Sequence, residues 1–233
     1  GSAQNFIYAD VKGNIGWYAA SKIPIRRKGD GSLPYDGSTN DGDWIGFIPF
    51  EELPNLYNPS SGFILTANQR IVGTSYKYTQ MSRDAAPPWR ARRIYDELAR
   101  NKKATIDFVR DVQHDTFNIP LNNLAKAILS MNAASAETLA VFKAWDGRMT
   151  VDSRGAVLAN EIRGCVADKI AADNKPAPSY LIRERIIDRA LRENLTRWLP
   201  SGVASFADLL KACDVSSRVA LADPKRLGPD DTK

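Results

Sequence analysis

In the N-terminal part of the chain, apolar residues come in short bursts separated by Gly, Pro and Asn. Asn5-Phe6-Ile7-Tyr8-Ala9-Asp10 and Asn14-Ile15-Gly16-Trp17-Tyr18-Ala19 are two such bursts, with Lys12-Gly13 between them. β-branched and aromatic runs bounded by turn residues read as strands, and a glycine able to adopt positive φ at the turn makes this pair a hairpin. Residues 25–43 carry Arg26-Arg27-Lys28 and then Asp36-Gly37-Ser38-Thr39-Asn40-Asp41-Gly42-Asp43, the composition of a long surface loop. Phe63-Ile64-Leu65-Thr66-Ala67 predicts an apolar strand that runs straight into Asn68-Gln69-Arg70. A polar group at the end of a buried strand is a typical position for a site residue.

After Pro87-Pro88 the period lengthens from two to that of a helix. Ile94, Leu98 and Ala99 share one face between Arg90 and Arg100, and Thr105 is placed to cap a helix through Ile106, Val109 and Val112. Leu124, Ala125, Ile128 and Leu129 mark a third helix within 121–131, and Ser135 caps a fourth that runs to Trp145, where Asp146-Gly147 stops it. Asp152-Ser153 opens another through Val157, Ile162 and Val166. Asn174-Lys175-Pro176-Ala177-Pro178 reads as a linker, 180–198 as one long arginine-rich amphipathic helix, and Ser205 as the start of a last helix through Leu209, Leu210 and Cys213. The polar tail from Gly228 is expected to fray. The pattern predicts an α+β chain, with a β-rich segment over 1–86 and a mostly helical subdomain over 87–233.

Composition narrows the function classes. Apolar residues make up 43% and charged residues 25% of the 233, as in ordinary soluble domains, so disorder and fibrous classes are disfavoured. No apolar run reaches the roughly 18 residues that span a bilayer, which argues against a membrane partner. The net charge of +5 is modest, and the basic residues are scattered over helices without interleaved aromatics, which argues against nucleic acid. His114 is the only histidine, so a Ser-His-Asp triad or a His-based metal site finds little material, and His114-Asp115 reads as a solvated pair. Cys165 and Cys213 have no zinc-like spacing and read as free or buried thiols in preference to a bridge. The acidic, Gly-rich loop tip invites a calcium reading, but it lacks the terminal glutamate of an EF-hand loop and is better read as a solvated turn.

Several words recur that resemble one family. Tyr8-Ala9-Asp10-Val11-Lys12-Gly13-Asn14-Ile15-Gly16-Trp17 is followed by Gly46-Phe47-Ile48-Pro49-Phe50-Glu51-Glu52-Leu53-Pro54, by Asn58-Pro59-Ser60-Ser61-Gly62-Phe63-Ile64 and by Thr66-Ala67-Asn68-Gln69. Arg90-Ala91-Arg92-Arg93-Ile94 and Trp145-Asp146-Gly147-Arg148-Met149 come later. At this order and spacing the words resemble the large chain of the penicillin acylase family of N-terminal nucleophile hydrolases, over roughly residues 5 to 165.

The resemblance implies an incomplete αββα core and a self-cleaved precursor whose new N-terminal serine attacks an amide carbonyl, with its own α-amino group as base. Asn68 stands where the family places an oxyanion-hole asparagine. Arg90 stands where a cation lies near the nucleophile's amine, helping to keep that amine neutral. Tyr8, Trp17 and Phe63 are the candidates to line an acyl pocket. Ser2 is not read as the nucleophile: Gly1 blocks its amine, Gly1-Ser2 reads as a cloning remnant, and Ala3-Gln4-Asn5-Phe6 matches an interior strand.

The nucleophile, the second oxyanion donor and the small chain are expected upstream, and the closing strands after Lys233. The implied partners are a small-molecule amide substrate and the remaining α- and β-chain segments of a parent enzyme. The implied compartment is periplasmic or extracellular. No cofactor is implied for this chain, and calcium is left open for the full-length parent. A competing reading makes the protein a non-catalytic interaction module that uses the arginine-rich 180–198 helix, with Arg183, Arg185 and Arg189 on its acidic partner.

Overall fold

A computed structural model describes residues 3–78, 85–101, 103–174 and 182–222. The chain divides into two compact units, residues 1–112 and 113–233.

The first unit begins with strands β1 (Gln4–Ala9) and β2 (Ile15–Ala20), paired antiparallel with Ile7 opposite Trp17 and Tyr8 opposite Gly16. The hairpin exists because its tip is over-determined. Gly13 takes φ +85°, and the Asp10 carboxylate accepts from the backbone N–H groups of Lys12 and Asn14, both at 2.9 Å. It also accepts from the Asn14 side-chain amide at 2.8 Å and the Tyr8 hydroxyl at 2.7 Å. These bonds, the Asn14 amide foremost, hold the Asp10 carboxyl down at about 2, below its ordinary range. A depressed native value means that Asp10 stabilises the tip above the unfolded carboxylate range near 4 and loses that contribution as pH falls toward 2. A carboxyl-carbon NMR titration is expected to place the Asp10 midpoint near 2; a midpoint near 4 would show that the bonds do not persist in solution.

Strand β5 (Asn55–Tyr57) joins the other edge of β2, giving the order β1-β2-β5. Asn58, at φ 44°, closes that edge by accepting from the Ile15 N–H at 2.9 Å. The predicted loop spans the two strands of a second hairpin, β3 (Pro24–Arg26) and β4 (Trp44–Phe47). Residues 63–67 join no ladder, contrary to the predicted strand. They are apolar for a different reason, given below. Helices α1 (Trp89–Arg100) and α2 (Ile106–Gln113) follow, the latter capped at 3.2 Å by Thr105 as its sequence predicts. Thus the sequence texture changes at residue 87, whereas the compact unit extends through 112.

The second unit is helical. It comprises α3 (Ile119–Met131), α4 (Ala136–Ala144), α5 (Arg154–Asp173), α6 (Ile187–Arg192) and α7 (Phe206–Ala222). Short polar side chains define the helix starts. Asn118, Ser135, Ser153 and Ser205 accept from the N–H groups of Leu121, Thr138, Ala156 and Asp208. Helix α5 is the centre: Ile162, Val166 and Ile170 are buried with Leu124 and Ile128 of α3 and Leu209 and Leu210 of α7. The Trp145 indole lies so close to α5 that a Cβ at Gly155 would sit 2.4 Å from Trp145 Cγ, which only glycine avoids. Buried Asp214 holds the α3–α4 corner by accepting from Ser135 N–H at 2.9 Å and Thr138 Oγ1 at 2.5 Å.

Three expectations are corrected here. Cys165 and Cys213 are bonded to each other, with Cα atoms 5.6 Å apart, so they are a bridge between α5 and α7 and not free thiols. Asp115 lies beyond the end of α2 and pairs with Arg148 at 2.8 Å, so it is not part of a solvated pair.

The predicted continuous helix over 180–198 is broken. Residues 182–186 form a wide π-type turn, α6 follows, Asn194 turns left-handed at φ 48°, and a 3-10 turn spans Thr196–Trp198. Buried Arg163 from α5 donates to the Arg183 carbonyl and pairs with Asp188 at 2.6 Å, so its guanidinium engages the wide turn directly. Residues 180 and 181, most of the predicted linker and the tail from 228 lie outside the described residues.

Candidate active site

The site lies within the first unit and starts from a helical stripe. Pro88, Ala91, Arg92 and Tyr95 follow the i, i+3, i+4, i+7 spacing of one α1 face, and that face forms one side of a cavity of about 500 Å³. The 63–71 segment forms another side, with Phe63, Ile64, Leu65 and Thr66 all facing the space. This explains why the segment is apolar without being a strand: its side chains line a cavity instead of alternating across a sheet. The Phe63 and Tyr95 rings meet edge to face, with centroids 5.5 Å apart.

The sheet contributes Trp17 and its cross-strand neighbour Leu56. Trp17 is 8% exposed, and its indole N–H donates to Asn5 Oδ1 at 2.8 Å, which fixes the ring. Directly paired residues share a sheet face, so Asn5, Ile7, Trp17 and Leu56 lie on one side while Tyr8, Gly16 and Tyr57 lie on the other. Of the three predicted lining residues, Trp17 and Phe63 are therefore brought together at the cavity. Tyr8 is on the opposite face, half exposed, with its hydroxyl on Asp10. That bond raises the Tyr8 pKa above its ordinary value.

Asn68 sits between the lining residues Thr66 and Gln69 and adopts φ 63°, a left-handed conformation that asparagine tolerates better than most residues. Its carbonyl accepts from the Ala86 N–H at 2.7 Å, and Gln69 Oε1 accepts from the Ala67 N–H at 2.6 Å, so the turn is held on both sides. Arg90 Nη2 donates to Asn68 Oδ1 at 2.7 Å and to the Ala67 carbonyl at 3.0 Å. The two polar residues named from the sequence thus meet. A guanidinium carries only donors, so it can hold only the oxygen end of the amide. The Asn68 amide nitrogen, with its two N–H groups, takes no partner among the described residues.

Sequence reasoning missed Arg70 and Tyr95 as lining residues. The signal for Tyr95 was present in the spacing from Pro88 once α1 is drawn as a helical wheel. Arg70 had no such signal. Among the described residues no three His, Cys, Asp or Glu side chains converge on a metal-sized space, and no helix is long and apolar enough to cross a membrane.

Comparison with known proteins gives first the class. The structure matches that of a penicillin G acylase from Alcaligenes faecalis with a TM-score of 0.65 over 96% of this chain and 47% of that one, at 16% sequence identity. The two chains share a mixed α and β fold. The penicillin amidase family model then matches residues 1–223, and the chain belongs to that family. It is 32% identical over 173 residues to penicillin acylase 2 proenzyme of Pseudomonas sp. (strain SE83), covering 72% of this chain and 22% of that protein. It is 30% identical over 197 residues to the acyl-homoserine lactone acylase QuiP of Pseudomonas fluorescens (strain Pf0-1), covering 75% of this chain and 24% of that protein. The chain therefore spans less than a quarter of the length of these curated relatives.

Proposed function

We propose that this chain forms one wall of the active site of an acylase that hydrolyses linear amides of penicillin, acyl-homoserine lactone or lipopeptide type, with Asn68 as an oxyanion-hole donor. The observation that carries the reading is the Arg90–Asn68 hydrogen bond, which fixes the amide with its N–H groups free. In the proposed reaction a serine outside this chain attacks the substrate carbonyl carbon, and the carbonyl electron pair moves onto oxygen. The serine's α-amino group takes the hydroxyl proton and returns it to the departing amine. Asn68 donates to the oxyanion, and because its amide is already oriented, the interaction costs no reorganisation at the moment of reaction.

Arg90 is then a positioning residue for Asn68. The fixed charge it carries also supports its role beside the nucleophile's amine, where a cation favours the neutral, basic form. The cavity beside the pair is the proposed acyl site, since ligand pockets of about 300–1,000 Å³ are typically apolar with a few polar groups. An oxidising compartment such as the periplasm is the proposed location, and the Cys165–Cys213 bond supports it because such bonds persist where thiols are not kept reduced. The alternative interaction-module reading finds less support. Arg183 bonds Asn160, and Arg189 and Arg192 both pair with Glu193, so these cations are engaged within the chain.

A chromogenic acyl-amide assay tests the reading. The 233-residue chain alone is expected to show no turnover, whereas a protein that joins it to the serine-bearing and remaining segments hydrolyses the amide. Turnover by the chain alone would overturn the placement of the nucleophile elsewhere, and an inactive complete protein would overturn the acylase assignment.

A further inference from the structure

Three of the five polar side chains that line the cavity, Ser61, Gln69 and Arg92, are committed to the protein itself. Gln69 Oε1 accepts from Ala67 N–H at 2.6 Å, and Ser61 Oγ donates to the Phe63 carbonyl at 3.0 Å. Arg92 pairs with Asp96 at 3.0 Å and lies 6.0 Å from the Tyr95 ring centre. Arg70 differs: it lines the same cavity, and among the described residues no hydrogen bond, ion pair or ring contact engages it. Leu65 and Ile71 are among the apolar residues of the same lining.

An uncompensated guanidinium at an apolar cavity has a specific chemical preference. Its planar fork of donors matches a carboxylate bidentately, and although Arg70 is itself exposed, the apolar lining beside it gives the body of such a ligand a place to pack. Among the described residues no carboxylate pairs with Arg70.

We propose that this cavity accepts an amphipathic carboxylate, with its apolar body against Phe63 and Tyr95 and its carboxylate on Arg70. The inference rests on the reading of the cavity as the acyl site and deepens it: Arg70 makes the site discriminate between substrates that bear a carboxylate and neutral ones of the same length. Arg70 is a specificity-determining residue. It takes no part in the oxyanion chemistry at Asn68, so binding and hydrolysis are separable readouts.

Isothermal titration calorimetry on the 233-residue chain with octanoate and octanamide tests the proposal, since the two ligands share a chain length and differ in charge. Octanoate is expected to bind about tenfold more tightly than octanamide, as a charge-assisted bidentate contact provides. Arg70→Gln removes that preference and leaves octanamide binding unchanged, and added salt weakens octanoate alone. Lys12→Gln, an exposed change of equal charge at the hairpin turn, is expected to alter neither. Thermal melting by circular dichroism establishes that each variant is folded. Equal binding of the two ligands to the unsubstituted chain, or an octanoate loss as large in Lys12→Gln as in Arg70→Gln, would overturn the role of Arg70 while leaving the acyl cavity in place. Binding of neither ligand would overturn both, and the Asn68 chemistry keeps its own test.

Discussion

Asn68→Asp, in an acylase that contains this chain, is expected to lower kcat by about 10² to 10³ with little change in the fold, the typical cost of losing one oxyanion donor. Aspartate is the informative replacement because it keeps the size of asparagine. It also tolerates the left-handed φ of 63° and still accepts from Arg90. What it lacks is the N–H, and its charge opposes the one that develops on the substrate oxygen. Asn68→Ala confounds this, since a side chain without local hydrogen bonds adds about 1–2 kcal/mol of backbone strain at such a φ.

Arg90→Leu is expected to have a smaller effect, about tenfold in kcat, because the amide remains but is free to turn its oxygen toward the oxyanion. Steady-state kinetics on a chromogenic acyl amide, with circular dichroism to establish folding, reads both. A folded Asn68→Asp enzyme with unaltered kcat would sink the role of Asn68. An Arg90→Leu enzyme that loses more than Asn68→Asp would show that Arg90 acts on the reaction directly.

Removal of the Cys165–Cys213 bond is expected to cost the helical unit the most stability of any single change. The bond closes a loop of 48 residues, for which chain entropy alone gives about 4 kcal/mol as the loss on paired replacement by alanine. The location reinforces this. Cys213 is fully buried next to Leu209 and Leu210, and Cys165 lies on α5, the helix around which the others pack. Urea unfolding with and without a thiol reductant is the measurement, with the double alanine variant as the reference state. Identical midpoints in both conditions would show that the thiols are not joined in solution.

Local features were legible because they are decided by a few adjacent residues. The hairpin followed from alternation around Lys12-Gly13, and the starts of four helices followed from Thr105, Ser135, Ser153 and Ser205, each a short polar side chain able to take a free N–H before an apolar face. Asn68 was named from the family words around it, and the structure places it against Arg90. Features that failed were those in which the same local pattern has two physical outcomes. An apolar run such as Phe63–Ala67 fits a buried strand and a cavity wall equally, and only the presence of α1 beside it decides which. The 180–198 pattern is helical in period, yet Arg163 engages the Arg183 carbonyl within a wide turn, and Asn194 then turns the chain.

By itself, then, the sequence determined the family, the first hairpin, most of the helices and most helix caps, and it named Asn68 and Arg90, which the fold brings into contact. Those are properties of spacing, propensity and short-range hydrogen bonding. Only the tertiary structure decided that Cys165 meets Cys213, that Tyr8 faces away from Trp17, that Arg70 lines the cavity and that Arg90 holds the Asn68 amide by its oxygen. Each of these depends on groups far apart along the chain whose distance is set by packing, and in the last case by a guanidinium 22 residues away that can bond to oxygen and to nothing else on the amide.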